Sequence, residues 1–197
     1  MKKKISVLIN NDKIRKFNKI ISVESDKSIS HRSLLIASQC IGPSNINNIL
    51  ESEDVKNTII CLQKLGVKIL KKNKKYIVYG NGLGSFKKPK NNFLYTGNSG
   101  TLTRLIFSLI GTQSNLKVKI SGDASLNKRD MKRIIDPLSK IGCSFYPKNK
   151  TTLPLTIEGT SMPLAQKHLE KIGSAQVKSS ILLAALNTQG TTQIEVK

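Results

Sequence analysis

The 197-residue chain carries 33 lysine and arginine residues against 12 aspartate and glutamate residues, for a formal net charge of +21, and 38% of its residues are hydrophobic. This composition is typical of a folded domain rather than a disordered one, and no apolar run is long enough to span a bilayer. The basic start Met1-Lys2-Lys3-Lys4 is not followed by the apolar segment and cleavage site of a signal peptide, so we expect a cytoplasmic protein.

The positive charge and the cysteines suggest two kinds of site that the rest of the sequence does not favour. A high net charge is a feature of nucleic-acid-binding proteins, but the lysines are scattered and aromatic residues make up only 5% of the chain. A composition bias toward Lys, Asn and Ile accounts for the charge better than nucleic-acid binding does. Cys40, Cys61 and Cys143 are far apart and lack metal-ligand spacing, which predicts buried reduced thiols and no metal site.

The first predicted helix covers residues 27–38 and follows a polar segment. The motif Asp26-Lys27-Ser28-Ile29-Ser30-His31-Arg32 places a lysine, two serines and an arginine at its start. A helix start has unpaired backbone N–H groups and the positive end of the helix dipole, so it can bind a phosphate or a carboxylate. Lys27 and Arg32 would add full positive charges. The alternative is an ordinary serine N-cap beside solvated basic residues.

A helix followed by two strands occurs twice further along the chain. Apolar residues at helical spacing predict helices at 53–65 and 130–141, ended by Gly66 and Gly142. The strands predicted after these helices are 67–70 and 76–79 in the first block, and 143–146 and 153–158 in the second. The two blocks match at an offset of about 76 residues, as expected of a repeated supersecondary unit.

Each block is preceded by a helix and a chain segment of its own, which extends the repeat. These leaders are 27–38 with 45–50, 97–110 with 116–121, and a third, 174–186 with 191–196, that lacks the second helix and the hairpin. We therefore predict a mixed α and β (α+β) fold of repeated α-β-α-β-β units around a pseudo-threefold axis. Its predicted parts are a first strand region at 1–21 and a repeat domain at 22–197, with copy one at 22–82, copy two at 93–159 and an incomplete copy three at 171–197.

The incomplete third copy makes the chain look truncated. An unfinished unit leaves apolar surface without partners. The residues that we expect to be uncovered are Val177, Ile181, Leu182 and Leu183.

Two further segments resemble anion-binding helix starts. In Thr96-Gly97-Asn98-Ser99-Gly100-Thr101, the glycines allow positive φ and close backbone approach, whereas the spacing of a P-loop is absent. Gly173-Ser174-Ala175-Gln176 is again small and polar before an apolar helix. The alternative for each is a plain turn with a capping residue.

Arg129, which precedes the second-copy helix, is either an exposed basic residue or part of the same site. Converging helix starts with these cations would form a pocket for a small polyanion.

The sequence resembles the enolpyruvyl transferase family, and within it the members that act on shikimate 3-phosphate. The resemblance is carried by Asp26 to Arg32, by Gly97-Asn98-Ser99-Gly100-Thr101, by Lys128-Arg129-Asp130-Met131-Lys132-Arg133 and by Ser174-Ala175-Gln176-Val177-Lys178-Ser179. It implies an inside-out α/β barrel (an alpha-beta prism), here incomplete. It also implies transfer of the enolpyruvyl group of phosphoenolpyruvate to the 5-hydroxyl of shikimate 3-phosphate, with release of phosphate and without a cofactor.

The same resemblance implies roles for individual residues. Lys27 would contact both substrates and act electrostatically. Shikimate 3-phosphate would be held by Ser28, Arg32, Ser174, Ala175 and Gln176, and phosphoenolpyruvate by Gly100 and Arg129. The family's acid–base residues would lie in a C-terminal half that this sequence lacks, so the fragment alone is expected to be inactive.

Some features depart from the family pattern and leave alternatives open. Glu24-Ser25 stand where a proline and a glycine are usual, and Asp130 replaces a proline and could weaken anion binding, although it also suits a helix start. One alternative is the related transferase that acts on UDP-N-acetylglucosamine, which uses a loop cysteine. The other is a basic anion-binding module without catalysis.

Overall fold

The computed structural model describes residues 23, 25–73, 75–170 and 172–196. The expected strand region at 1–21 and Glu24 lie outside these residues. The helices of the described ranges are α1 (Lys27–Gln39), α2 (Glu53–Lys64), α3 (Gly100–Gly111), α4 (Ala124–Asn127), α5 (Lys132–Ile141) and α6 (Ala175–Ala185). The strands are β1 (Ile41–Asn47), β2 (Lys68–Lys72), β3 (Lys75–Asn81), β4 (Phe93–Tyr95), β5 (Lys117–Ser121), β6 (Ser144–Tyr146), β7 (Leu155–Glu158), β8 (Lys167–Glu170) and β9 (Gln193–Val196).

The predicted α-β-α-β-β unit is present twice with the same sheet order. The first copy, α1-β1-α2-β2-β3, forms an antiparallel sheet in the order β1-β3-β2, centred on Val78, which faces Ser44 on one side and Ile69 on the other. The second copy, α3-β5-α5-β6-β7 with the short α4 inserted, forms the equivalent order β5-β7-β6. The mixed α and β class and its repeat are therefore confirmed.

Two short strands in the connecting segments were not predicted. β4 pairs in parallel with β5, with Leu94 opposite Ile120, and β8 pairs in parallel with β9. They have three and four residues, which is too few for alternation of polar and apolar residues to be visible in the sequence. Each lies directly before the helix start of its copy and fixes the position of that start on the sheet edge.

The three leader helices, α1, α3 and α6, lie side by side and run in the same direction. Hydrogen bonds between α3 and α6 join Thr101 to Gln176 near the N-terminal ends and Thr112 to Asn187 beyond the C-terminal ends. Arg32 of α1 contacts Ser179 of α6, and the start of α1 also approaches the start of α3. All three N-terminal ends therefore meet at one end of the molecule, as a pseudo-threefold arrangement requires.

The expectation of an uncovered third helix is wrong for most of its apolar residues. Val177, Ile181 and Leu183 are buried, because α6 packs along α3 and contributes to the common core. Leu182 is 55% exposed and lies with Ile36 of α1 along an apolar groove between α6 and α1. The described part of the third copy, residues 172–196, contains α6 and β9 and no second helix or hairpin.

Several predicted boundaries and one predicted burial differ from the structure. β1 begins at Ile41 rather than at residue 45, and α3 begins at Gly100 rather than at residue 97. The N-cap of α1 is Asp26, whose Oδ1 accepts the Ile29 N–H at 2.7 Å, and not a serine. Cys61 and Cys143 are buried as predicted, and burial raises the pKa of each thiol to about 12. Cys40, the C-cap residue of α1, is exposed, so the expectation of a buried thiol is wrong at this position.

A glycine in each sheet allows a strand to approach the C-terminal end of a leader helix. A Cβ on Gly80 would lie 2.4 Å from the Ala37 carbonyl oxygen, and a Cβ on Gly159 would lie 2.6 Å from the Ile110 carbonyl oxygen. Both neighbours are backbone atoms of helices, which cannot move aside as a flexible side chain can. The repeat is thus visible even in these contacts.

We predict that Gly80→Ala lowers the free energy of unfolding by about 3 kcal/mol, at the upper end of overpacking costs. Chemical denaturation measures this change. Gly82→Ala is the matched control, since a Cβ there lies 3.5 Å from Ile41 and meets only backbone strain at a φ of +91°, which costs roughly 1–2 kcal/mol. Equal losses in the two variants would show that the close approach at Gly80 is not what requires a glycine.

Candidate functional site

The candidate residues of the three leader helices occupy equivalent positions. The N-caps are Asp26, Ser99 and Ser174, and each accepts the backbone N–H of the third residue that follows it. The first helical positions are therefore Lys27, Gly100 and Ala175, and the second positions are Ser28, Thr101 and Gln176. The structure thus brings all the predicted helix-start residues to the end where the three dipoles point the same way.

The start of α1 carries two cations, Lys27 and Arg32, which have different partners. Lys27 Nζ lies 3.0 Å from Asp54 Oδ2 of α2, and the pair is substantially solvent-exposed. Arg32 donates from Nε and Nη2 to Ser179 Oγ at 3.1 and 3.0 Å, and from Nη1 to the carbonyl oxygen of Ser28 at 3.0 Å. Ser28 itself is exposed, so its hydroxyl faces solvent-accessible space beside both cations.

The glycine-rich turn before α3 has two glycines with different roles. Gly97 has a φ of +60°, as predicted, and follows β4. Gly100 is in the helical region, so the expectation that it uses positive φ is wrong. A Cβ on Gly100 would lie 2.7 Å from Arg104 Nη1 and 3.2 Å from Arg129 Nη1. The ends of two guanidinium groups therefore lie against Gly100, and a Cβ at this position would require these flexible side chains to shift.

Arg104 is a site residue that sequence reasoning did not assign. It is half-buried, and its Nη1 donates to Gln176 Oε1 at 3.0 Å. Burial lowers its pKa, and the nearby charges of Arg129 and Arg133 lower it further, against a smaller opposing effect of Asp130. The available sequence signal was its spacing, because Arg104 lies four residues after Gly100 and so on the same helix face.

Gln176 of α6 connects two of the helix starts. Its Oε1 accepts from Arg104 and its Nε2 donates to Thr101 Oγ1 at 3.0 Å, so the side-chain amide is fully oriented by α3. Ser174 Oγ accepts the Val177 N–H at 3.4 Å, and Ala175 is exposed, with its carbonyl oxygen bonded to Ser179 Oγ. The Ser-Ala-Gln segment therefore presents one turn of backbone next to the arginines.

Arg129 reaches the same end from the loop before α5. Its Nη2 donates to Asn98 Oδ1 at 2.8 Å. Asp130, which could weaken anion binding but also suits a helix start, accepts the Lys132 N–H with its Oδ1 at 2.9 Å. The backbone N–H of Lys132 and the hydroxyl of Thr151 hold the pKa of Asp130 below its usual range. Asp130 is thus an acceptor at the start of α5.

Three arginines at this end bind only neutral acceptors. In the described ranges, no carboxylate lies within 4.0 Å of Arg32, Arg104 or Arg129, and their partners are serine, amide and backbone oxygens. Arg133 differs, since it is 2.9 Å from the buried carboxylate of Glu170. Like charges held close together without counterions favour binding of an anion.

His31 is buried at the junction of α1, α2 and α3. Burial lowers its pKa from 6.5 to about 4; Asp54 raises it, and the nearby Lys27 and Arg32 lower it. The imidazole is therefore neutral at pH 7. Because the unfolded chain binds a proton more readily than the folded chain, the stabilisation is complete above pH 6.5 and is lost as the pH falls toward 4.

We predict that the native chain loses about 3 kcal/mol of unfolding free energy through His31 between pH 6.5 and 4. Chemical denaturation of the native chain and of His31→Gln at several pH values in this window measures the difference. The carboxylates titrate alike in both proteins, so their contribution cancels in the difference between the two unfolding free energies. If the unfolding free energies of the two proteins fall in parallel as the pH is lowered, the folded state accommodates the protonated imidazole and the prediction is wrong.

Within the described ranges, no three His, Cys, Asp or Glu side chains are grouped as a metal site would require. None of the described helices has the length and apolarity needed to cross a membrane.

The fold and the candidate site together define a class: an α/β repeat protein in which parallel helix N-termini lie beside Arg32, Arg104 and Arg129, none of which contacts a carboxylate of the described residues. The family model for EPSP synthase (3-phosphoshikimate 1-carboxyvinyltransferase) matches residues 11–196. The chain belongs to the EPSP synthase family.

Individual relatives agree with this assignment. The chain is 44% identical over 178 residues to 3-phosphoshikimate 1-carboxyvinyltransferase of Bartonella henselae and 45% identical over 181 residues to that of Petrotoga mobilis. It aligns with the solved structure of EPSP synthase from Acinetobacter baumannii with a TM-score of 0.83 and 36% identity. These alignments cover 89%, 90% and 89% of this chain but only 39%, 41% and 40% of the relatives. The chain thus spans about two fifths of the length of the relatives it matches.

Proposed function

We propose that this chain supplies the shikimate 3-phosphate and phosphoenolpyruvate contacts of an enolpyruvyl transferase. The reaction transfers the enolpyruvyl group to the 5-hydroxyl of shikimate 3-phosphate and releases phosphate, a step of aromatic amino acid biosynthesis. The observation that carries the proposal is the set of three arginines, bonded only to neutral groups, at the shared end of three helix N-termini.

The roles of individual residues are those that the family resemblance implies. Lys27, at the first position of α1, would contact both substrates, and its ion pair with Asp54 would be exchanged for substrate oxygens. We assign phosphoenolpyruvate to the Gly100 backbone and Arg129. Shikimate 3-phosphate is assigned to Ser28, Arg32, Ser174, Ala175 and Gln176.

The chemistry suits a site of this charge. Protonation of the methylene carbon of phosphoenolpyruvate develops positive charge on the carbon that bears the phosphate ester oxygen. The 5-hydroxyl attacks that carbon and loses its proton, and departure of the phosphate together with one proton of the new methyl group restores the enol double bond. Fixed cations and helix N-termini stabilise the leaving phosphate without reorganising during the reaction, and removing one such group commonly costs about 100-fold or more in rate. Proton transfer is not assigned to this chain, and we expect it to require the rest of the enzyme.

Titration calorimetry tests the proposal on a chimera in which this chain replaces the matching 39% of the Bartonella henselae relative. We expect heat from shikimate 3-phosphate, and from phosphoenolpyruvate once shikimate 3-phosphate is bound. Binding of UDP-N-acetylglucosamine instead would favour the related transferase. Binding of both phosphates without discrimination, lost at high salt, would favour a simple basic module.

A further inference from the structure

The fifth position of each leader helix holds a side chain that contacts another of the three helices. Counted from the N-caps, these residues are His31, Arg104 and Ser179. His31 approaches the N-cap of α3, Arg104 bonds to the second residue of α6, and Ser179 bonds to Arg32 of α1. The contacts run in one direction around the pseudo-threefold axis. The starts of the three helices are therefore tied to one another.

His31 is the fully buried member of this set. Its Nδ1 lies 2.7 Å from Thr58 Oγ1 of α2, and its Nε2 lies 3.5 Å from Ser99 Oγ, which is long for a hydrogen bond. It therefore touches the start of α3 from one ring nitrogen and α2 from the other. Asp54, whose carboxylate binds Lys27, lies one turn before Thr58 on α2.

The neighbouring groups determine which nitrogen carries the proton. The Thr58 hydroxyl has an acceptor available in the Asp54 carbonyl oxygen at 3.3 Å, and when its single proton is donated there it accepts from His31 Nδ1–H. Nε2 is then an acceptor, and the Ser99 hydroxyl donates to it while accepting the Leu102 N–H at 3.2 Å. In this arrangement the Thr58 hydroxyl proton, the His31 ring proton and the Ser99 hydroxyl proton each have one acceptor.

We propose that His31, as the neutral Nδ1–H tautomer, is a positioning residue that sets where the Ser99–Gly100 turn presents its backbone to the anion. The inference rests on the proposed function for the identity of that anion, phosphoenolpyruvate. A protonated ring could not accept from Ser99 and would add a cation next to Lys27 and Arg32. The pKa of about 4 is consistent with this requirement.

Two substitutions test the two ring nitrogens of His31 separately. In His31→Asn, the amide nitrogen can occupy the Nδ1 position and keep the Thr58 bond, but the side chain is too short to reach Ser99. In His31→Gln, the amide oxygen can occupy the Nε2 position and accept from Ser99, but the Thr58 bond is lost. Both variants lose ring volume and one bond, so a role confined to core packing affects them alike.

Amide hydrogen exchange on this chain is the first measurement, and it requires no ligand. We expect the Leu102 N–H, which donates to the Ser99 hydroxyl, to lose its protection from exchange in His31→Asn and to keep it in His31→Gln. Nitrogen-15 NMR of the native imidazole should show the Nδ1–H tautomer. Equal protection in the two variants, or an Nε2–H tautomer, would overturn the proposal.

Affinity for phosphoenolpyruvate in the chimera is the second measurement. We expect His31→Asn to weaken it on the order of tenfold, the equivalent of one lost hydrogen bond, with His31→Gln close to native and shikimate 3-phosphate affinity changed less. If the affinity for both ligands falls equally in both variants, His31 acts only through core packing. If the native chimera binds no phosphoenolpyruvate, the proposed function fails, while the exchange result still decides whether His31 holds Ser99.

Discussion

Replacing Lys27 by alanine should lower phosphate release from phosphoenolpyruvate and shikimate 3-phosphate by about 100-fold or more in the chimera, since it removes a fixed charge at the reacting groups. Folding should change little, because the Lys27–Asp54 pair is substantially exposed and such pairs contribute about 0–1 kcal/mol. A coupled assay of released phosphate measures the rate, and thermal unfolding measures the stability.

Lys72→Ala is the matched control for this prediction. Lys72 carries the same charge but lies exposed at the end of β2, in the sheet rather than at the helix starts. We expect native turnover in this variant. A Lys27→Ala enzyme that keeps near-native turnover would show that Lys27 has no role in the reaction. A Lys72→Ala enzyme that is equally impaired would show that only net charge matters and that Lys27 has no special position.

Arg104→Met should weaken phosphoenolpyruvate binding by roughly 10- to 100-fold, which corresponds to the loss of a hydrogen bond to a charged group. The methionine retains most of the volume of the half-buried side chain and removes its charge. Because Arg104 is partly desolvated beside Arg129 and Arg133, we expect the unliganded midpoint of thermal unfolding to be at least as high as that of the native chain. In the chimera with shikimate 3-phosphate bound, the native midpoint should rise with phosphoenolpyruvate concentration, and the variant should need a roughly 10- to 100-fold higher concentration for the same rise.

Arg104→Lys separates charge from geometry in this experiment. Lysine keeps the positive charge but cannot hold Gln176 and an oxyanion with one planar fork. We expect its affinity to lie between those of the native chain and Arg104→Met. If Arg104→Met lowers the unliganded midpoint and binds phosphoenolpyruvate normally, Arg104 is a structural tie between α3 and α6 and not an anion ligand.

The location of the candidate site was predictable because helix starts can be read from local sequence. Polar residues before an apolar periodic run predicted the beginnings of α1, α3 and α6, and Gly66 and Gly142 marked the ends of α2 and α5. The unit repeat then implied that the three starts are equivalent. Its strands β4 and β8 were missed, since three or four residues carry too little pattern to predict pairing.

The partners of the site residues could not be predicted in the same way. Lys27 with Asp54, Arg32 with Ser179, and Arg104 with Gln176 are separated by 27, 147 and 72 positions in the sequence. No local pattern reports such contacts, because they depend on how the helices pack. Within the described residues no carboxylate lies within 4.0 Å of Arg104, and this feature, which makes it a candidate anion ligand, is equally a property of packing.

By itself, the sequence determined the repeated unit, the mixed α and β class and the helix starts that carry the cations, because capping and periodicity act within a few residues. Only the tertiary structure decided the state of each side chain at those starts. The reasons are physical: burial keeps His31 neutral, two guanidinium groups lie against Gly100, and α3 covers apolar residues of α6 that the predicted unfinished repeat would leave exposed. Burial and electrostatic environment arise between segments distant in the chain, and they appear only when those segments pack together.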